Sequence, residues 1–168
     1  MDLLIREAIP DDAPDVVAII NPIIQAGTYT AFDTPFTIES EREYILKFPE
    51  RGIFHVAVRE SDHKIVGFQS LEPFATYTHA FDHVGVLGTY VELSQRRRGI
   101  AKHLFSVTFE AAKRKGYEKI FTFIRADNFE ALSAYLGQGF RIVGTAQRHA
   151  KLRGRYVDEM IVEKWLLR

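Results

Sequence analysis

The sequence predicts an α/β domain, an α+β mixed sheet with helices packed on its faces. Three observations carry that reading. Short runs of β-branched and aromatic residues alternate with segments of helical apolar spacing, in the order β-α-α-β-β-β-α-β-α-β-β. The chain has 168 residues and no repeat, low-complexity tract or linker, so residues 1–168 read as a single domain with one core. It is 46% hydrophobic and 26% charged, which suits a folded globular chain and not a disordered one.

The elements follow in order. Leu3-Leu4-Ile5-Arg6 is a short strand. In "PDDAPDVVAIINPII", Asp11 or Asp12 can cap a helix whose apolar face includes Val16, Ile19, Ile20 and Ile23. "GTYTAFDTPF" reads as an irregular, exposed, aromatic loop. "TIESEREYILKF" is a second helix, with Thr37 as its cap and acids in its first turn. "IFHVAVR" (53–59) and "IVGFQSL" (65–71) are strands joined by the polar turn "ESDHK". "HVGVLGTYVEL" is a further strand, weakened by Gly85 and Gly88, since strand glycines mark a bulge or a close backbone approach. A helix begins near Gly99 and ends at Gly116. "KIFTFIR" is then a near-continuous apolar strand of the kind buried on both faces. A short helix from about Asp127 to Leu136 and the strands "FRIVGTA" and "YVDEMIVEKWL" complete the chain.

The totals exclude several functions. Lys plus Arg number 22 and Asp plus Glu 22, so no overall field draws the chain to nucleic acid or an anionic membrane. The absence of cysteine removes disulfides, thiolate metal sites and a cysteine nucleophile. Six scattered histidines lack H-x-x-E-H or H-E-x-x-H spacing, and no metal site is expected. "MDLLIREAIPDD" lacks the basic and apolar regions of a secretory signal, and no apolar run approaches the roughly 20 residues of a membrane span. A cytoplasmic enzyme or binding domain is the expectation.

One stretch concentrates the local charge: "QRRRGIAKHL", residues 95–104. From Ile100 the apolar positions fall at 100, 104, 105, 108, 111 and 112, a helical stripe, so a helix N-terminus lies near Gly99. Such an end carries unpaired N–H groups and about half a positive charge, a seat for phosphate. Gly99 and Ala101 leave the backbone open to an anion, and three arginines add charged donors. An anion cradle and an ordinary strand-to-helix turn with a solvated basic face both fit this stretch alone. The P-loop and dinucleotide fingerprints are both absent.

Arg96-Arg97-Arg98-Gly99-Ile100-Ala101 fits Q/R-x-x-G-x-G/A and resembles the pyrophosphate-binding motif of the GCN5-related N-acetyltransferase (GNAT) family. "RADNFEALSAYLGQGF" (125–140) resembles that family's second hallmark, an Asn and a Tyr on the helix before a Gly-Phe strand start, and "GRYVDEMIVEKWL" its closing strand. "IREAIPDDAPDVVAIINPII…TYTAF" is similar to the phosphinothricin-acetyltransferase-like branch. The resemblance implies a GNAT-like fold, with a central mixed, splayed sheet of about seven strands flanked by about four helices. It also implies acetyl-CoA as co-substrate and a homodimer.

For the site, the resemblance implies that Arg96, Arg97, Arg98, Gly99, Ile100, Ala101 and Lys102 bind the coenzyme A pyrophosphate, chiefly through the amides from Arg97 to Lys102. Tyr90 and Val91, closing the strand at "TYV", would pair with the pantetheine arm. The Val91 N–H would stabilise the oxyanion. Asn128 would bond the arm, and Tyr135 would protonate the leaving thiolate. The other readings make Asn128 a helix cap and Tyr135 a core aromatic. An alkylamine is mostly ammonium at neutral pH and needs a base. Relatives carry a Glu roughly where Gly85 or Val86 stands here, and neither can serve. The substitutes are Glu92, Glu72, His83 or a water chain. Tyr29, Phe32, Tyr77 and His79 form an aromatic and hydroxyl wall for the acceptor, beside Glu72 and His83. No acidic cluster marks a polyamine site. The expected acceptor is a primary amine of a small molecule or amino-acid derivative, ahead of a protein N-terminus or lysine. A non-catalytic acyl-CoA sensor and a nucleic-acid module using the arginine run are the competing functions.

Overall fold

The computed structural model describes residues 1–166. Its strands are β1 (Leu3–Glu7), β2 (Ile53–Arg59), β3 (Lys64–Pro73), β4 (Val84–Val91), β5 (Lys119–Arg125), β6 (Arg141–Leu152) and β7 (Arg155–Trp165). Its helices are α1 (Ala13–Ala26), α2 (Ile38–Leu46), α3 (Ile100–Arg114) and α4 (Phe129–Gly137). The element order is the expected one. The strands form one sheet in the order β1-β2-β3-β4-β5-β7-β6. Every neighbouring pair is antiparallel except β4 and β5, which are parallel.

Helices cover the two faces of the sheet. On one, α3 and α4 press Phe105, Phe109 and Tyr135 against Leu71, Leu87, Ile120 and Ile124. On the other, Val16, Ile19, Ile20 and Ile23 of α1 and Ile45 of α2 pack on Phe54, Val56 and Phe68. Gly85 serves this packing, because a Cβ there would stand 2.7 Å from Leu71 Cδ2. The aromatic loop after α1 is held at two points: Asn21 Nδ2 donates to the Phe36 carbonyl and Asn21 Oδ1 accepts the Phe36 N–H, each at 2.9 Å.

Several local expectations need correction. Asp12 stands just before α1 but does not cap it. Its carboxylate accepts both Arg6 guanidinium bonds, at 2.8 and 2.9 Å, and the Ile9 N–H at 2.8 Å, so a charged partner wins over the helix amides. Thr37 caps α2 as expected, accepting the Ser40 N–H at 3.0 Å. Strand β5 is not buried on both faces. Ile120, Thr122 and Ile124 point into the α3 layer, while Phe123 is 40% exposed because no helix lies over that side. Helix α4 begins at Phe129 with Asn128, not Asp127, as its cap. Asp127 instead pairs with Arg125. Strand β6 runs further than expected, with register breaks at Ile142/Gly144 and Ala146/Ala150.

Burial works against ionisation of Asp12, which is 6% exposed, but the Arg6 and Ile9 bonds outweigh it and hold the carboxyl below the usual aspartate value. A depressed carboxyl pKa contributes stability above the unfolded value and loses it as pH falls through the folded one. Asp12→Ala is therefore expected to cost about 2 kcal/mol near neutral pH. Thermal melting should show a drop of roughly 4–8 °C. The gap between parent and variant should close on acidification.

Candidate active site

Strands β4 and β5 pair over three rows only, Val84 with Lys119 to Val86 with Phe121. The Thr122 hydroxyl donates to the Leu87 carbonyl at 2.6 Å as the last link. Beyond it the strands part and a cavity of about 1010 Å³ opens between them. β4 stays paired with β3 on its other side as far as Val91. The Glu92 N–H points to β3, onto the Val66 carbonyl at 2.9 Å, while the Leu87 carbonyl points to β5. Strand amides alternate in direction. The Thr89 and Val91 N–H groups therefore face the gap, as expected for Val91. Thr89 was not foreseen.

At one end of the cavity lies the start of α3. Arg97 has φ +60° and Gly99 φ +80°, both left-handed. For Arg97 that conformation costs about 1–2 kcal/mol. It turns successive N–H groups into a concave nest ahead of the positive end of the helix. Arg97, Gly99, Ile100, Ala101 and Lys102 all line the cavity. The Arg96 side chain is a strut instead: its guanidinium lies 4.0 Å over the Tyr29 ring and reaches Glu130 at 3.4 Å. Arg98 is exposed and does not line the cavity.

The middle of the cavity holds Asn128 and Tyr135. Asn128 caps α4 through Oδ1 to the Ala131 N–H and ties down the aromatic loop through Nδ2 to the Tyr29 carbonyl, both at 3.1 Å. Its amide is thus engaged within the fold at both ends. Tyr135 is 6% exposed, and its hydroxyl lies 2.8 Å from Thr89 Oγ1, which accepts from Gln69 Nε2 at 2.8 Å. Burial pushes the Tyr135 hydroxyl far above its ordinary value, so it stays protonated. With Gln69 already donating to Thr89, the arrangement that uses the threonine proton has Thr89 donating to Tyr135. The phenol proton then faces the cavity. Gln69 and Thr89 are cross-strand neighbours, with His55 next in the row. Their signal in the sequence is a polar residue at an inward position of an apolar strand.

The other end is lined by Tyr29, Phe32, Tyr44, Glu72 and Tyr90 on the α1 side of the sheet, and by Phe123 and Glu159 across the gap. The Tyr90 ring stacks on Phe68 at 4.9 Å, so only its backbone can face along the strand. Glu72 on β3 is the cross-strand partner of Val86. A carboxylate absent from β4 is thus supplied one strand away, and burial pushes it above the usual glutamate value.

Four further expected site residues lie elsewhere, among them His79, which is exposed on its loop and meets Asp82 at 2.9 Å. Glu92 turns away beyond the end of β4 and pairs with Lys64 at 3.1 Å. The His83 ring packs near Trp165 at the opposite end of β4, centroids 6.4 Å apart. Tyr77 is 83% exposed on its loop. Arg125, which also lines the cavity, was not foreseen. It spends Nε and Nη2 on Asp127 and Nη1 on the Gly27 and Thr30 carbonyls.

An anion nest at a helix start, opening into the gap of a splayed sheet, is the frame of an acyltransferase that takes its acyl group from a phosphate-bearing thioester. A model of the acetyltransferase (GNAT) family matches residues 22–140, most of the chain, and the chain belongs to that family. It is an N-acetyltransferase with acetyl-CoA as co-substrate. It is 26% identical to phosphinothricin N-acetyltransferase of Streptomyces coelicolor over 94% of this chain and 92% of that one. The crystal structure of ribosomal-protein-alanine N-acetyltransferase from Brucella melitensis superposes with a TM-score of 0.88 at 26% identity, covering 96% of this chain and 99% of that one. A phosphinothricin acetyltransferase from Sinorhizobium meliloti, solved in complex with acetyl-CoA, superposes with a TM-score of 0.88 at 18% identity, over 98% and 89% of the two chains. No described helix is long and apolar enough to cross a membrane.

Lys102 is exposed in the first turn of α3 and lines the anion end. Lys102→Glu should leave the melting temperature unchanged or raised, since a carboxylate there suits the helix dipole. The same charge should weaken acetyl-CoA binding by roughly 10-fold or more in isothermal titration.

Proposed function

We propose that this single-domain chain acetylates a primary amine of a small molecule by direct attack within a ternary complex, in the cytoplasm and as a homodimer. The observation that carries the reading is Glu72, opposite Val86 and lining the same cavity as Tyr135. The two groups lie on opposite faces of the sheet, with the gap between them. An amine arriving from the α1 side gives its proton to Glu72 and attacks the thioester carbonyl. The Val91 N–H receives the oxyanion. As the new C–N bond forms and the C–S bond breaks, Tyr135 on the α3 side protonates the leaving sulfur, and the second proton that the nitrogen sheds on becoming an amide restores the phenol. Thr89 holds the phenol oxygen from behind, and Gln69 holds Thr89. Glu72 also borders a second cleft of about 330 Å³ beside α2, a route by which its proton reaches solvent. This placement of a carboxylate favours a working enzyme over a sensor. The strut geometry of Arg96 leaves no continuous basic face for nucleic acid.

Glu72→Gln is expected to lower kcat by roughly 10²–10⁴-fold, with acetyl-CoA affinity unchanged by calorimetry. In the parent, kcat/KM should fall as pH drops through a value above the ordinary glutamate range, and the variant should lose that limb. Equal rates for parent and variant would move the base to water. Thr89→Val should lower kcat and leave the amine KM unchanged, because Thr89 acts through Tyr135. Binding of acetyl-CoA without turnover of any amine would restore the sensor reading.

A further inference from the structure

The acceptor end of the cavity carries charge that the fold does not neutralise. Glu159, at the β7 position paired with Arg125, is 9% exposed and lines the cavity. Among the described residues no hydrogen bond or ion pair engages its carboxylate, and burial pushes its pKa up. Glu72 lines the opposite wall, on the same face of the sheet. Glu41, buried on α2, adds a third carboxylate behind Tyr90. Burial first, and then the charges of Glu41 and Glu72, push the Tyr90 hydroxyl up to about 12.

The cations of the cavity cannot answer this. Arg97 and Lys102 belong to the start of α3, and Arg96, whose guanidinium lies over the Tyr29 ring, is paired with Glu130. Arg125 is beside Glu159 but is taken up by the Asp127 carboxylate and two carbonyls. His149, stacked on Phe123 at 5.3 Å, and Arg125 pull on Glu159 by charge less than burial pushes it, and neither bonds it; Glu72 and Glu159 keep no bonded cation of their own among the described residues. Glu159 is buried and Glu72 half-buried, and a carboxylate partly withdrawn from water without a partner is stabilised by a ligand that supplies the missing cation. Between Glu72 and Glu159 the walls include the Phe32 and Phe123 rings, suited to an apolar spacer.

We propose that the acceptor is a small organic dication: a primary amine that reacts beside Glu72, joined by a short apolar spacer to a second amino or guanidino group held by Glu159, with no carboxylate or phosphinate. The inference rests on the acetyltransferase reading above and narrows it. It sets this chain apart from the phosphinothricin N-acetyltransferase it resembles, whose named acceptor is an amino acid with two acidic groups and would bring anions against Glu159.

The test compares initial rates for cadaverine, n-pentylamine, lysine and phosphinothricin on the full chain with acetyl-CoA. It adds calorimetry of cadaverine into the protein saturated with coenzyme A. Cadaverine should exceed n-pentylamine, lysine and phosphinothricin in kcat/KM by at least about 10-fold, a margin of about 1.4 kcal/mol. Glu159→Gln, matched in size, should bring the cadaverine-to-pentylamine ratio close to one while acetyl-CoA binding persists. Turnover of lysine or phosphinothricin above cadaverine overturns the inference and leaves the acetyltransferase reading intact. So does a ratio that Glu159→Gln does not change. If no amine turns over, Glu159-dependent binding of cadaverine still supports the dication site while the catalytic reading fails, and no binding overturns the site. The parent's ratios need no variant, so a Glu159→Gln that fails to fold does not shelter the inference.

Discussion

The structure depends on how little β4 and β5 share. β4 is committed to β3 along its whole length, from Gly85 to Val91. β5 is committed to β7 from Lys119 to Arg125. Among the described residues, three parallel rows, the Glu118 and Lys119 N–H bonds to the His83 carbonyl and one threonine bond join the two strands. Right-handed strand twist then carries the free ends apart, and two β4 amides that a continuous sheet would use are left facing the gap. α3 starts beside one mouth of that gap, so the charged nest of Arg97 and Gly99 and the free strand amides fall in one line.

Keeping such a gap open needs a brace, and Arg125 supplies it. Its guanidinium gathers the Gly27 and Thr30 carbonyls, at the two ends of the loop turn after α1, and locks onto Asp127 at the entrance to α4. Asn128 reaches the same loop through Tyr29, and Arg96 stacks on that residue's ring. The wall over the acceptor end is therefore tied to the elements that carry Tyr135. Charged hydrogen bonds in so enclosed a place hold firmly because losing one partner leaves a buried charge.

Much of this was legible in the sequence, for a physical reason. Helical and strand periodicities are local, so all eleven elements could be read in order, while "RRRGIA" at a helix start fitted both an anion cradle and a solvated basic turn. The misses share a different cause. Glu92 and His83 stood in for a missing base and Tyr77 for the aromatic wall, but strand ends and loops send such residues to different places. Glu72 was only one candidate among several, because nothing local reveals that it pairs with Val86. Glu159 was unreadable for the same reason: 87 positions separate it from Glu72, and only the sheet order β3-β4-β5-β7 sets the two on facing walls. Asn128 joined both readings, a cap by its bonds and a cavity residue by its place.

Charge balance shows the same principle at the scale of the whole molecule. Equal numbers of acids and bases gave no reason to expect a field, and none acts over the surface as a whole. Inside the cavity, however, the balance is broken in space: cations and helix dipole at the α3 mouth, carboxylates at the other. A low-dielectric cleft strengthens such an arrangement and suppresses its screening by salt. On the proposed reading each end would select by sign, with anionic pyrophosphate drawn to one and ammonium to the other, and the two substrates would meet where the strand amides are free. An uncompensated carboxylate at the acceptor end lowers the stability of the empty fold, and the ligand that neutralises it recovers that loss on binding. On that proposal the site would hold a cation more tightly than a pre-neutralised one, and would reject an acid for the same reason.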